Sequence, residues 1–261
     1  LLIIDAYGMR GNVVLGSGKR QQGRDSLVFI HGAGGSRTSW RHQEDYFSRT
    51  FNVIIMELPG HGAAQGQGAQ EIKGYTLWIK GALDKLKVSS PFVIGHSMGG
   101  AIAMDLAIRF PALPKGLVLA STGARLRTLP AILDGIKQAF PETVRMICER
   151  SFAQDAPYEL RRFTVAEMMK NSPSVLHGDF AACDRFEVMD QVQAIGNPTL
   201  VICGDQDVLT PIKYSRFLAD KIAGARLEIV KKAGHMVMLE QPVEFNKKIE
   251  AFFWSVGRGD A

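Results

Sequence analysis

Short, unbroken apolar runs recur along this chain, and stretches of helical spacing separate most of them. Leu1-Leu2-Ile3-Ile4 and Asn12-Val13-Val14-Leu15-Gly16 read as two short strands joined by a turn over 8–11. Further runs stand at Leu27-Val28-Phe29-Ile30, Phe51-Asn52-Val53-Ile54-Ile55-Met56, Phe92-Val93-Ile94, Gly116-Leu117-Val118-Leu119-Ala120, Pro198-Thr199-Leu200-Val201-Ile202-Cys203 and Leu227-Glu228-Ile229-Val230. They are continuous rather than alternating, as expected of strands buried on both faces. Helical spacing occupies 76–86, 100–109 and 243–254, while 16–25 is a polar loop and 65–70 a Gly/Gln/Ala-rich one. The pattern predicts an α/β fold, a mostly parallel central sheet flanked by helices, with an antiparallel edge at the N-terminus.

The rhythm breaks at 123–197, where no convincing strand occurs. Four helices are predicted there, over 130–140, 142–152, 158–171 and 174–182, with Pro141, Pro157 and Pro173 at the junctions. Proline cannot continue a helix but starts one readily. The chain is therefore read as one core domain, 1–122 with 198–261, carrying an inserted helical cap, or lid, over 123–197. Loops at the strand ends beneath such an insertion carry function in open α/β sheets.

Composition narrows the function classes. An apolar fraction of 46% supports a sizeable core, and a formal charge of +5 without a clustered basic run gives no nucleic-acid footprint. No apolar run approaches the ~18–20 residues of a membrane span. Neither a nucleic acid nor a membrane is an expected partner. Cys148, Cys183 and Cys203 are odd in number and form no C-x-x-C pair. They read as free thiols of a cytoplasmic protein, with no metal expected. No signal peptide is visible, and Leu1 in place of methionine suggests residues lost ahead of it.

The chemistry concentrates at Gly95-His96-Ser97-Met98-Gly99, between a strand and a helix. A G-x-S-x-G turn at that junction is sharp, and its glycines keep Cβ atoms out of the crowded strand and helix. The serine hydroxyl then sits at a helix N-terminus, where backbone N–H groups point outward, and the Met98 N–H is placed to stabilise an oxyanion. A serine needs a base and the base an orienting acid. Of the 6 histidines, His235 in Ala233-Gly234-His235 lies in a loop just after a strand and is the best base. His96 adjoins the nucleophile, but its side chain is expected to point away. Spacing allows either Asp205 or Asp207 as the acid.

These motifs resemble those of the α/β-hydrolase fold superfamily over essentially the whole chain. His31-Gly32-Ala33-Gly34-Gly35, Leu58-Pro59-Gly60-His61-Gly62, Gly95-His96-Ser97-Met98-Gly99-Gly100, Gly204-x-x-Asp207 and Gly234-His235 follow in the family's order. The resemblance implies a Ser97–His235–Asp207 triad, since the family's G-x-x-D aspartate is its acid. It also implies an oxyanion hole formed by the N–H groups of Ala33 and Met98, and no cofactor. Some members take the acid from an earlier strand end, but here Ser121-Thr122 offers none.

Within the superfamily, Ser97 in place of Asp argues against haloalkane dehalogenases and epoxide hydrolases. Ala33 departs from the Trp of perhydrolase-like members. The loop from His31 to Trp40 resembles that of meta-cleavage C–C hydrolases. That family, however, favours Asn before its serine, Asn shortly after the loop Trp and Trp after its histidine, where this chain has His96, Arg41-His42-Gln43 and Met236. The elbow is more similar to carboxylesterases and small-acyl thioesterases. The implied activity is hydrolysis of a small-molecule ester or thioester by a monomer or homodimer. The alternatives are C–C bond hydrolysis and a slow-turnover receptor. Expected substrate-binding residues are His31, Gly32, Trp40 and Met236 near the loops, and Leu129, Leu133, Met146 and Phe180 from the cap. Trp40 is also read as a packing residue.

Overall fold

The computed structural model describes residues 1–16, 18–64 and 66–258. Ser17 in the polar loop, Gln65 at the start of the Gly/Gln/Ala-rich patch and residues 259–261 at the end of the expected core domain lie outside the described residues. In chain order the elements are β1 (Leu2–Ala6), β2 (Met9–Leu15), β3 (Ser26–Ile30), α1 (Arg41–Phe47), β4 (Asn52–Glu57), α2 (Ile72–Lys85), β5 (Phe92–His96), α3 (Met98–Arg109) and β6 (Gly116–Ala120). Then follow α4 (Pro130–Gln138), α5 (Phe140–Arg150), α6 (Tyr158–Met168), α7 (Pro173–Arg185), β7 (Thr199–Gly204), α8 (Ile212–Lys221), β8 (Arg226–Val230), α9 (Val237–Glu240) and α10 (Pro242–Arg258).

The strands form an 8-stranded sheet in the order β1-β2-β4-β3-β5-β6-β7-β8. β1 pairs antiparallel with β2, and β2 with β4; every other pair is parallel. Every residue of β3 to β7 is buried, because both sheet faces are covered. Successive strand side chains point to opposite faces. Val28, Ile30, Ile54, Met56 and Val93 accordingly join one cluster with Trp78, Ile79 and Ile102 of α2 and α3. Leu27, Phe29, Val53, Ile55 and Phe92 join the other with Phe47 of α1 and Phe245, Ile249, Phe252 and Phe253 of α10. Because β3, β5, β6, β7 and β8 run parallel, the loops after β3, β5, β7 and β8 emerge at one rim.

Between β6 and β7 the chain holds the four helices α4 to α7 and, among the described residues, one isolated antiparallel bridge, Arg125 with Glu187. Ile136, Val144, Ile147, Cys148, Met168 and Leu176 give these helices an apolar cluster of their own. Pro130 and Pro173 each occupy N1, and Pro141 N2, where no intrahelical N–H is needed. The apolar pattern does not predict α1 or α8.

Candidate active site

Ser97 occupies the turn between β5 and α3 with φ 53° and ψ −116°, a conformation that costs a non-glycine residue ~1–3 kcal/mol. The surroundings enforce it. The Ser97 N–H donates to the Ala120 carbonyl at 2.9 Å, and the Ser97 carbonyl accepts from the Gly100 N–H at 2.9 Å and Thr122 Oγ1 at 2.8 Å. A Cβ at Gly95 would overlap the Gly99 carbonyl, and one at Gly99 the Ile30 carbonyl. The two glycines thus let β5, α3 and the end of β3 meet backbone to backbone. Met98 is the first residue of α3, and its N–H belongs to the turn that has no intrahelical acceptor.

His235 Nδ1 lies 2.9 Å from Asp207 Oδ2. A carboxylate only accepts, so Nδ1 carries the hydrogen and Nε2 is left as the basic nitrogen of the neutral ring. Asp207 is itself held. Its Oδ1 accepts from the N–H groups of Leu209 and Thr210, both at 2.9 Å, and its Oδ2 accepts from Thr210 Oγ1 at 2.8 Å. Burial alone would raise the Asp207 carboxyl, but the facing His235 and the Thr210 donors outweigh it and hold it below the usual carboxylate range. Asp205 has a different setting: it pairs with Lys231 at 3.6 Å, and the ion pair of His235 is with Asp207 instead.

Two neighbours without a sequence signature brace the histidine. His96 Nε2 lies 2.9 Å from the His235 carbonyl and must donate to it, so His96 supports the His235 backbone while turned away from attack chemistry. Glu240 accepts from the Gly234 N–H at 2.9 Å and the Ala153 N–H at 2.8 Å, tying the histidine loop to the chain after α5. Desolvation raises the Glu240 carboxyl despite these donors.

Ser97 and His235 open onto one cavity of about 140 Å³. Gly32 and Ala33 from the loop after β3, Phe180 of α7 and Met236 also line it, as do Thr210, Phe163, Met168 and Leu239. The other expected pocket residues lie elsewhere. His31 is wholly buried: its Nε2 accepts from the Leu58 N–H at 3.2 Å and its Nδ1 donates to the Gly32 carbonyl at 2.8 Å, so no polar atom remains for a substrate. Trp40 packs in the core against Phe29 and Phe245. Leu129, the extended residue that precedes α4, is 62% exposed, and Met146 on α5 is 42% exposed. Leu133 also lies off the cavity, which its neighbour Ile132 lines instead. Helical periodicity identified these segments as helices but did not say which face meets the cavity.

Burial pushes His31 and His96 down to about 3. Each is neutral when folded but protonates in the unfolded chain near its ordinary 6.5. Their contribution is complete above 6.5 and is lost as pH falls from there toward about 3. At 1.36 kcal/mol per unit for each group, stability is expected to fall by up to about 3 kcal/mol per pH unit in that window. Urea unfolding followed at pH 7, 6, 5 and 4.5 measures the slope; uptake of less than one proton on unfolding would contradict it.

A family model described as the alpha/beta hydrolase fold matches residues 25–242, and the chain belongs to this hydrolase family. It is 28% identical over 247 residues to 3-oxoadipate enol-lactonase 2 of Acinetobacter baylyi, covering 88% of this chain and 89% of that protein. It is also 27% identical to 2-hydroxymuconate semialdehyde hydrolase of a Pseudomonas species, covering 93% of each. Among solved structures, a thermophilic esterase superposes with a TM-score of 0.86 at 34% identity, over 98% of both chains.

Proposed function

We propose that the protein is a serine hydrolase of small to medium carboxylic esters or thioesters, using Ser97, His235 and Asp207 as a catalytic triad. The observation that carries this reading is the 2.9 Å His235–Asp207 hydrogen bond in a cavity shared with the strained Ser97 elbow. Ser97 Oγ attacks the acyl carbonyl as His235 Nε2 takes its proton. Asp207 fixes the tautomer and stabilises the imidazolium. The oxyanion is received by the N–H groups of Met98 and Ala33, each of which is worth ~10²–10³ in rate by comparison with known oxyanion donors. The imidazolium then protonates the departing alkoxide or thiolate. His235 next activates a water that cleaves the acyl-enzyme and regenerates Ser97.

The likeness to an esterase at 34% identity supports ester cleavage. The size of the cavity supports a modest acyl group: about 140 Å³ is below the ~300–1,000 Å³ of sites that enclose drug-sized ligands. The helices α4 to α7 are read as a cap because Phe163, Met168 and Phe180 close the cavity above Ser97. A second reading, C–C bond hydrolysis, is kept by the 2-hydroxymuconate semialdehyde hydrolase relative.

The deciding measurement is a side-by-side kcat/KM series on p-nitrophenyl esters of increasing chain length, the matching CoA thioesters and a vinylogous 1,5-diketone, since specificity is a difference in transition-state binding. Short to medium esters or thioesters are expected to lead. A diketone preference of a hundredfold or more would replace the esterase reading with the C–C one. Binding without turnover of any substrate would support the receptor alternative.

A further inference from the structure

Asp179, on α7, has no exposed surface and lies far in sequence from every motif of the active site. Its Oδ2 accepts from the Gly34 N–H at 2.9 Å and from His61 Nε2 at 2.6 Å, while its Oδ1 accepts from Tyr75 Oη at 2.6 Å. His61 has an acceptor at both ring nitrogens, because its Nδ1 also faces the Pro59 carbonyl at 3.1 Å. Both nitrogens are satisfied only in the imidazolium, which balances the buried carboxylate. Burial opposes that charge, yet Asp179 outweighs it and raises the His61 value. The neighbouring His31 ring is 4.9 Å away, and burial holds it neutral.

The other side of Gly34 is held as well. Asn171, buried just after α6, donates from Nδ2 to the Gly34 carbonyl at 2.8 Å and to the Met168 carbonyl at 2.9 Å. Gly34 has φ +63°, and a Cβ there would overlap Leu176 and crowd Met168. Its peptide groups are thus gripped, donor and acceptor both, by side chains that the chain supplies between β6 and β7. One residue upstream, Ala33 lies within the turn closed by the Gly35 N–H donating to the Gly32 carbonyl at 3.0 Å.

We propose that Asp179 and Asn171 are positioning residues that clamp Gly34 and thereby aim the Ala33 N–H at the oxyanion, so that the helices over the cavity set the acyl-transfer geometry. The inference rests on the serine-hydrolase reading above. Preorganised donors act because they need no reorientation during reaction. A loosened loop therefore lowers kcat and weakens transition-state mimics while leaving KM nearly unchanged.

The test compares Asp179→Ala, Asp179→Asn and Asn171→Leu with the wild-type enzyme on a p-nitrophenyl ester. Binding of a trifluoromethyl ketone, which adds to the serine and places an oxyanion in the hole, is measured in parallel. Asp179→Ala removes the acceptor of the Gly34 N–H; kcat and ketone affinity are expected to fall together by ~30–100-fold, with KM changed less than threefold. Asp179→Asn keeps an oxygen toward Gly34 and an N–H₂ that Tyr75 Oη can accept, while His61 becomes neutral, donating to that oxygen from Nε2 and giving up its Nδ1 bond to the Pro59 carbonyl. It is expected to stay within about fivefold of wild type, a rescue that simple loss of side-chain volume would not predict. If Asp179→Ala does not fold, Asn171→Leu decides. Asn171 is uncharged and its buried Oδ1 has no partner to lose, so this change removes only the donations to the Gly34 and Met168 carbonyls, and a loss of about tenfold in kcat and ketone affinity is expected.

Unchanged kcat in the folded variants, or a fall in kcat without a fall in ketone affinity, would overturn the clamp. Ser97→Ala is assayed alongside. Its inactivity combined with unaffected clamp variants defeats this inference alone; its full activity defeats the hydrolase reading as well.

Discussion

Ser97→Ala is expected to abolish ester turnover, with a loss on the order of 10⁴–10⁶ in kcat, while the protein stays folded. The turn at Ser97 is fixed by its backbone: the N–H donates to Ala120 and the carbonyl accepts from Gly100 and Thr122. None of these bonds uses the hydroxyl, and alanine keeps the Cβ that already tolerates φ 53°. What disappears is the hydroxyl oxygen, the atom proposed to form the acyl-enzyme. Far-UV circular dichroism and a melting temperature within a few degrees of wild type would establish folding. Product formation from p-nitrophenyl butyrate would then report chemistry alone. A variant retaining even a tenth of wild-type kcat would remove Ser97 from the mechanism.

Asp207→Asn is expected to lower kcat by about 10⁴, with Asp205→Asn within threefold of wild type. The hydrogen bonds around the carboxylate give the reason. Asp207 Oδ1 accepts two backbone N–H groups, from Leu209 and Thr210, so the asparagine oxygen must take that position. The amide N–H₂ is then forced toward His235 Nδ1, which can meet it only as an acceptor. The ring shifts its hydrogen to Nε2 and loses the lone pair that would deprotonate Ser97. Asp205 has no such position: its Oδ2 pairs with the exposed Lys231 at 3.6 Å, and its buried Oδ1 accepts no hydrogen bond. Both variants should be assayed across pH after their stabilities are matched by temperature. A larger loss for Asp205→Asn would reverse the assignment.

β3 to β7 are legible because strands buried on both faces are apolar at consecutive positions, which leaves little room for another reading, while β1 and β8, largely exposed or half-buried, carry a weaker apolar signal. α1 and α8 lack that signal. α1 buries only Gln43 and Phe47, and α8 only Ser215 and Leu218, so neither shows an apolar stripe. α2 begins at Ile72 rather than 76 because Ile72 and Tyr75 are buried one turn ahead of the recognised spacing. At the site, Ser97 and His235 were legible from motif and loop position. The choice between Asp205 and Asp207 rested on family likeness, since two acids one residue apart differ only in which backbone N–H groups and ring they face. The roles of His96, Thr210, Glu240 and Asp179 depend on contacts between distant segments, and no local pattern encodes them.

The loop carrying His235 bears on how such folds are recombined. Glu240 divides its carboxylate between Gly234 and Ala153, the Met236 N–H donates to the Ser151 carbonyl at 3.1 Å, and a Cβ at Gly234 would overlap the backbone of Phe152 and Ala153. The point where the chain leaves the sheet and the point where the helices above it are fastened are therefore different places. Transplanting 123–197 into a related scaffold would carry across the helices but leave behind these contacts, together with the Gly34, His61 and Tyr75 partners of Asp179. A chimera cut at the strand ends would need Glu240 and a glycine at 234 from the donor as well, so the exchangeable unit is discontinuous in sequence.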